Sequence, residues 1–388
     1  SHPIRRVRIG TSSCRSSSEE GARHAAAAEC HRTFRLIVRK LQVENLRNLA
    51  RVEIEPHAVL NLFHGSNGAG KTSLLEALVV LSRGRSFRTT QAAELIGPQD
   101  STFRVFALTE DRHGQLHRLG LERSGKRWRG RMDGADLSQL SQLTRSLPLV
   151  LMEPDSHLLV DGPPEVRRKY LDWGMFHVEQ EFLSVWRRYS KALKQRNAAL
   201  RGGHPAVLDA IDRILAGHGS RLTELRRAHS ESVGRNIQTM LSALGATLQE
   251  LSLEYQQGWS GGELHDVLRR NRERDADRGQ TLSGPHRADL ALVCGSAPAR
   301  AVLSRGEQKI LAAALLLTQA ELRASLGEKP VILLDDLASE FDDLHYARVL
   351  ERALATGAQV WVSGTRKPAA APDCAMFHVE QGRVAKVV

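Results

Sequence analysis

Long apolar runs are absent from this sequence. The longest, residues 310–317, spans eight positions, against the roughly 20 that a helix needs to cross a bilayer. No apolar core of the kind that opens a secretory signal stands near the N-terminus. Both features predict a cytoplasmic protein with no membrane partner. Cysteine is scarce as well. Cys14, Cys30, Cys294 and Cys374 are scattered, and none forms a CxxC pair. That argues against zinc ribbons and redox dithiols and suits a reducing compartment. No grouping of His, Cys and Glu has the spacing of a transition-metal site. Aromatic residues make up only 5% of the chain, too few for base stacking to be the main mode of any nucleic-acid binding.

What is present is a sizeable core and an excess of positive charge. The chain has 388 residues, 41% of them hydrophobic, enough for two or three domains of about 150 residues. Basic side chains outnumber acidic ones 55 to 44, a net charge of +11. That excess fits a polyanionic partner. It fits equally a bias of the coding sequence toward arginine, since 45 of the basic residues are arginines and only ten are lysines.

Residues 1–33 combine a serine run, an alanine run and several arginines without periodicity, which predicts a disordered extension. Strands are expected from residue 36, at Val52 and Ile54, and over 59–63, where the run ends at Gly65. A helix follows from Ser73 and stops at Gly84. Residues 102–133 alternate apolar with charged positions between turn signals, the pattern of an antiparallel meander. Helical spacing dominates 164–201 and 206–250, broken at 201–205. Leu183, Trp186 and Leu193 lie roughly on one face of the helix expected at 182–201, about 30 Å long. Strand-like sequence returns at 251–255 and 288–293. A long helix at 307–326, a strand at 331–334, a helix at 343–355 and a strand at 360–362 follow. The expected division is an N-terminal half of one lobe at 34–154, a helical lobe at 155–250 and the rest of the first lobe at 251–388. The hexapeptide Met-Phe-His-Val-Glu-Gln occurs at 175–180 and again at 376–381. One expected setting is helical and the other a hairpin turning at Gly382, so the repetition does not make a repeat fold.

Three motifs carry chemistry. Gly65, Ser66, Asn67, Gly68, Ala69, Gly70, Lys71 and Thr72 fit G-x-x-x-x-G-K-[ST], with an apolar strand before and an amphipathic helix, beginning at Ser73, after. Glycines let successive N–H groups curl around phosphate oxygens, and the helix N-terminus adds partial positive charge. Lys71 is the expected bridge between the β- and γ-phosphates of ATP, and Thr72 an expected ligand of Mg²⁺. The apolar strand at 331–334 ends in Asp335 and Asp336. Asp335 is the expected second holder of Mg²⁺, and Asp336 the group that orients or deprotonates the attacking water. Ser304 and Glu307 form an S-x-x-E capping box at the head of the long helix. With Gly306 between them, the same exposed helix N-terminus is also an anion site.

The serine-x-glycine-glutamate-glutamine at 304–308, then the two aspartates, then the 337–342 segment stand in the order of the signature, Walker B and D-loop motifs, and resemble an ABC-type ATPase head. More narrowly, 43–48, 84–89, 161–168, 193–197 and 283–287 resemble the RecF family of bacterial recombination mediators, with likeness from about residue 36 to the end. The resemblance implies an α/β fold: a P-loop sheet and an antiparallel β region forming an ABC-type head, with an inserted helical lobe and no long coiled coil. It implies ATP-dependent homodimerisation through Ser304 and Gly306, slow ATP hydrolysis, DNA binding, and loading of recombinase at gaps with RecO and RecR. It also implies contact of Arg47 and Asn48 near the nucleotide, where the residues themselves read equally as a polar strand-to-turn pair.

Two departures bear on rate and class. The signature reads Ser-Arg-Gly-Glu-Gln, and Ser363-Gly364-Thr365 stands where many ABC ATPases carry a phosphate-sensing histidine. Thr365 offers a weaker hydroxyl, so hydrolysis is expected to be slow. Gln139 and Gln142 are Q-loop candidates by position only. The main alternative is the cytosolic ATPase of a membrane transporter. The 264 residues between Lys71 and Asp335 and the missing histidine count against it. A clamp that binds ATP without hydrolysing it is the third reading, opposed by the intact Lys71, Thr72, Asp335 and Asp336. Three basic clusters are candidate DNA surfaces, or merely solvated faces: Arg83, Arg85 and Arg88; Arg123, Lys126, Arg127, Arg129 and Arg131; and Arg187, Arg188, Lys191, Lys194 and Arg196.

Overall fold

The computed structural model describes residues 36–387 except 99, 180, 204, 249 and 366–372. The expected disordered extension, 1–33, lies outside them. The described residues belong to one compact unit, Arg35–Val388, built on three sheets. In the first, β1 (Ile37–Leu46), β2 (Leu49–Ile54), β4 (Thr102–Glu110), β5 (Leu116–Ser124), β6 (Arg127–Met132) and β7 (Ala135–Asp136) run in the order β2-β1-β4-β5-β6-β7, antiparallel throughout. This is the expected meander, and Phe103, Val105, Ala107, Leu119 and Leu121 turn their alternating side chains inward.

The second sheet gathers β3 (Leu60–His64), β8 (Leu149–Met152), β12 (Val331–Leu334), β13 (Val360–Gly364), β14 (Cys374–Glu380) and β15 (Arg383–Lys386) in the order β15-β14-β3-β13-β12-β8. It is parallel except for the β15 edge. Both faces are covered, which is why β12 is apolar at every position. Alternation sorts its side chains into two cores. Leu62, Ile332, Leu334, Val360 and Met376 face the helical part of the molecule. Phe63, Val331, Leu333, Trp361 and Phe377 face the antiparallel sheet, with Phe63 stacked between Trp361 and Phe377 at 5.2 and 4.9 Å. Helix α1 (Lys71–Arg83) belongs to this second core, and Leu74, Leu75, Ala77, Leu78, Val79, Val80 and Leu81 are all buried. A helix apolar all round is stable only when enclosed. The third sheet is β9 (Leu251–Gln256), β10 (Asp289–Cys294) and β11 (Ala297–Pro298), antiparallel.

Helices α2 (Pro164–Val178), α3 (Phe182–Gly202) and α4 (Leu208–Ala243) fill the middle of the chain, and α5 (Arg305–Ser325) and α6 (Asp343–Ala355) flank β12 in sequence. The core under α2–α4 is continuous with one face of the parallel sheet. Among the described residues no helix is long and apolar enough to cross a membrane.

The buried stripe of α3 does not run through Leu183, Trp186 and Leu193. Phe182, Val185, Tyr189, Ala192, Arg196 and Ala199 are buried, whereas Trp186 is 40% exposed. The one charge in that stripe, Arg196, is fully buried. It donates to Asp212 and Asp275 at 2.6 Å each, to the Thr281 hydroxyl and to Leu268 O. It therefore pins α3 to α4 and to the short helix Arg272–Arg278, and it does not belong to a DNA-facing surface. Replacing it leaves the buried Asp275 without a cation and Asp212 with Arg272 alone, a loss of about 3 kcal/mol. Arg196→Met should lower the urea midpoint accordingly, and a variant as stable as the parent would show the cluster to be energetically neutral.

Candidate nucleotide site

The turn from β3 into α1 is shaped by what packs on it. Gly65 sits at φ +155, and a Cβ there would stand 2.0 Å from Val379 O on β14, so only glycine lets the turn pass its neighbour strand. Gly70, at φ +117, leads into α1, whose N-terminal end opens on a cleft of about 320 Å³. Asn48, Asn67, Gly68, Gly70, Lys71, Thr72, Ser73, Arg88, Asp336 and Ser363 line it. Ser66 is exposed at the loop tip, and Ala69 is buried and accepts from Gly382 N.

Asp336 lines this cleft and Asp335 stands behind it, 264 residues from Lys71 in the sequence. Thr72 Oγ1 donates to Asp335 Oδ1 at 3.0 Å, and Ser363 Oγ donates to the same oxygen at 2.5 Å. Burial pushes the Asp335 carboxyl above its ordinary range and Asp336 adds to the rise, while the Ser363 and Thr72 hydroxyls oppose it. Asp336 lines the cleft in the left-handed region, φ 49, with its N–H donating to Ser363 Oγ. The Lys71 ammonium donates to Gly65 O and Ser66 O at 2.8 Å each. Burial lowers its pKa, and Asp336 and Asp335 pull it back up.

Asn48 and Arg47 share a turn and divide its work. Asn48 braces the loop: its amide donates to Gly68 O and its carbonyl accepts from Ser73 Oγ, both at 3.0 Å. Arg47 does not line the cleft. Its guanidinium grips both oxygens of Glu76, at 3.0 and 3.1 Å. Glu76, on α1 and fully buried, also accepts from Ser86 Oγ and pairs with Arg88 at 3.6 Å. Arg47 thus reaches the cleft only through Glu76 and Arg88.

Other expected residues lie elsewhere. Ser304 and Glu307 make the capping box: Ser304 N donates to Glu307 Oε2 at 2.8 Å, and Glu307 N donates to Ser304 Oγ at 3.3 Å. Ser304 and Gly306 are exposed and outside the cleft of their own chain. Thr365 is exposed, and the hydroxyl that reaches the acids is Ser363. Gln139 and Gln142 are exposed and do not line the cleft. The end of β8 holds Glu153 instead. The roles missed from sequence are those of Ser363, Arg88 and Glu76. The first was legible as the hydroxyl ending an apolar strand, but the other two stand out only once a buried carboxylate is seen.

Glu153 is pushed up to about 7 by burial and then by Asp155 and Asp335, against Arg83. Between its ordinary 4.5 and about 7 the folded protein holds a proton there that the unfolded chain has lost, so this group's contribution falls as pH rises through that window. Glu153→Gln keeps the shape without the charge. It should be more stable than the parent at pH 8, by up to about 3 kcal/mol, and nearly equal at pH 4, read from urea midpoints.

The RecF/RecN/SMC N-terminal domain model matches residues 37–383. The chain is 44% identical to the DNA replication and repair protein RecF of Stenotrophomonas maltophilia over 361 residues, 90% of this chain and 99% of that one. It is 44% identical to the RecF of Xanthomonas axonopodis pv. citri, covering 89% and 98%. The solved structure of the recombination mediator RecF with ATP, in the RecFOR pathway, superposes with a TM-score of 0.85 at 26% identity, covering 92% of this chain and all of that one. The Smc head domain of Pyrococcus furiosus, at 14% identity and a TM-score of 0.56, shares the fold.

Proposed function

Because the chain belongs to the RecF family, we propose that it is an ATP-dependent DNA-binding protein of recombinational repair and replication-gap processing. It binds and slowly hydrolyses ATP in a nucleotide-sandwich homodimer. It acts in the cytoplasm with RecO and RecR to help load recombinase on DNA. The observation that carries the reading is the convergence of Lys71, Thr72 and Asp336 on one cleft at a helix N-terminus, with Asp335 held behind it by Thr72 and Ser363.

The loop amides and Lys71 hold the phosphates, and Lys71 leaves its loop carbonyls for the β- and γ-oxygens. Arg88 brings a second cation to the same cleft. Thr72 Oγ1 and Asp335 are hard oxygen donors already in contact, a pair that fits Mg²⁺, which takes one or two protein oxygens and completes its shell with phosphate and water. Bound there, the ion would neutralise phosphate charge. Asp336 faces the cleft with its main chain fixed by Ser363 and serves to orient or deprotonate the attacking water. The transporter alternative gains nothing from relatives that match the chain almost end to end and are repair proteins by name.

Lys71→Ala should weaken ATP binding by about a hundredfold, the value of two lost charge-assisted bonds. Asp336→Asn should bind ATP almost as the parent does and turn over about a hundredfold or more slowly. Wild-type turnover in Asp336→Asn would refute its role as base. The exposed Ser304 cap is the surface proposed to close on the partner's nucleotide. Ser304→Arg should leave ATP binding by the monomer intact and abolish ATP-dependent dimers in light scattering. Dimers that persist in that variant would remove Ser304 from the interface.

A further inference from the structure

The structure separates free positive charge from charge already spent. Of the first basic cluster, Arg83 is turned inward and donates to Leu149 O, and Arg88 belongs to the nucleotide cleft. In the second, Arg123 is buried with its guanidinium 4.8 Å from the Trp128 ring, and Arg129 and Arg131 share Asp136. In the third, Arg196 is consumed in the core. What remains on α3 is Arg187, Arg188, Lys191 and Lys194, all exposed. Helix α3 contains no Asp or Glu, and none of the four has a carboxylate partner among the described residues. The acids closest in sequence and on the adjoining helix that bear pairs, Glu181 and Glu224, are both held by Arg221.

These cations do not stand alone. Arg187 donates to Ser141 Oγ at 2.9 Å, setting α3 against the short helix Ser141–Ser146, where Arg145 is exposed. Leu140, just before that helix, packs on Gly84, and the next residue is the exposed Arg85. Part of the free charge therefore forms a strip from α3 across the 141–146 helix to Arg85, three residues from the cleft-lining Arg88, while Lys126 and Arg127 stand free on the β5–β6 hairpin.

We propose that this strip is the docking surface for the phosphate backbone of DNA, with α3 as its main rail. The proposal rests on the reading of the chain as a DNA-binding protein and gives that reading a place on the molecule. Residues 187 to 194 cover about 10 Å at 1.5 Å per residue, a length over which duplex DNA presents about six phosphate charges. A membrane surface fits poorly, because the apolar stripe of α3 is committed to the core and Trp186 alone is an exposed large apolar side chain on it, too little to insert.

The test is DNA binding by fluorescence anisotropy across a salt series, with and without ATP, for the parent and for the triple variant Arg188→Gln, Lys191→Gln, Lys194→Gln, which keeps the Arg187–Ser141 contact. The variant should melt and bind ATP as the parent does. It should lose affinity for all DNA sequences alike, with the slope of log K against log salt reduced by up to about 3. Lys126→Gln with Arg127→Gln, an equal kind of change on the β5–β6 hairpin, should leave the slope unaltered. If the triple variant does not fold, Lys191→Gln and Lys194→Gln singly should each lower the slope by about one. A parental slope in folded variants, beside a parent that binds DNA, overturns the strip and leaves an acidic protein as the occupant of that face. A parent that binds no DNA in either nucleotide state overturns the DNA reading itself, and the strip with it.

Discussion

The level register of three parallel strands is the constraint on which the rest depends. Phe63 and His64 on β3 lie opposite Ser363 and Gly364 on β13, and Val362 lies opposite Leu334 on β12. The strands therefore end side by side, and the phosphate loop, the acids and Ser363 emerge at one edge. That is the edge at which open α/β sheets bind ligands. Side chains alternate along each strand, so a slip of one residue would turn Ser363 into the core and a valine toward the acids. Ser363 is what makes the arrangement one unit: it donates to Asp335 and accepts from Asp336 N–H. Thr72 closes the link to the helix.

Behind the cleft stands a second support. Glu76 is a buried carboxylate on the helix that follows the loop, and Arg47, Ser86 and Arg88 converge on it. A buried charge without partners would be costly, so the four groups hold one another. The same turn that supplies Arg47 supplies Asn48, which braces the loop from the other side. Nucleotide-facing geometry and core stability therefore share residues, and a change in either layer is felt in the other.

Net charge is a poor guide to function in this protein, because much of the arginine is internal mortar. Arg167 grips Asp289, Arg226 grips Asp172, and Arg196 sits between Asp212 and Asp275. Arginine suits this work, with five fixed donors and a charge that persists on burial. Only after those latches are subtracted does a coherent external strip appear, and it covers a small fraction of the basic residues.

The phosphate loop, the capping box, the meander and the apolar strands were legible because each is written in neighbouring residues: glycines at fixed offsets, a serine three before a glutamate, alternation with period two. The strand β8 was not, since four buried residues look alike in a strand and a buried helix. Nor was the inward stripe of α3, because its decisive member is an arginine whose acids lie 16 and 79 residues away. The roles of Arg47, Arg88 and Ser363 likewise follow from who stands opposite, which no local pattern encodes. The repeated hexapeptide makes the point within one chain. Its first copy closes α2, with Met175 buried, and its second lies in β14, where Met376, Phe377 and His378 pair with Leu62, Phe63 and His64. Sequence by itself determined only that the six residues recur in two differently patterned surroundings. Tertiary structure decided helix or strand, because the second copy lies along β3, whose backbone donors and acceptors are satisfied only by a strand.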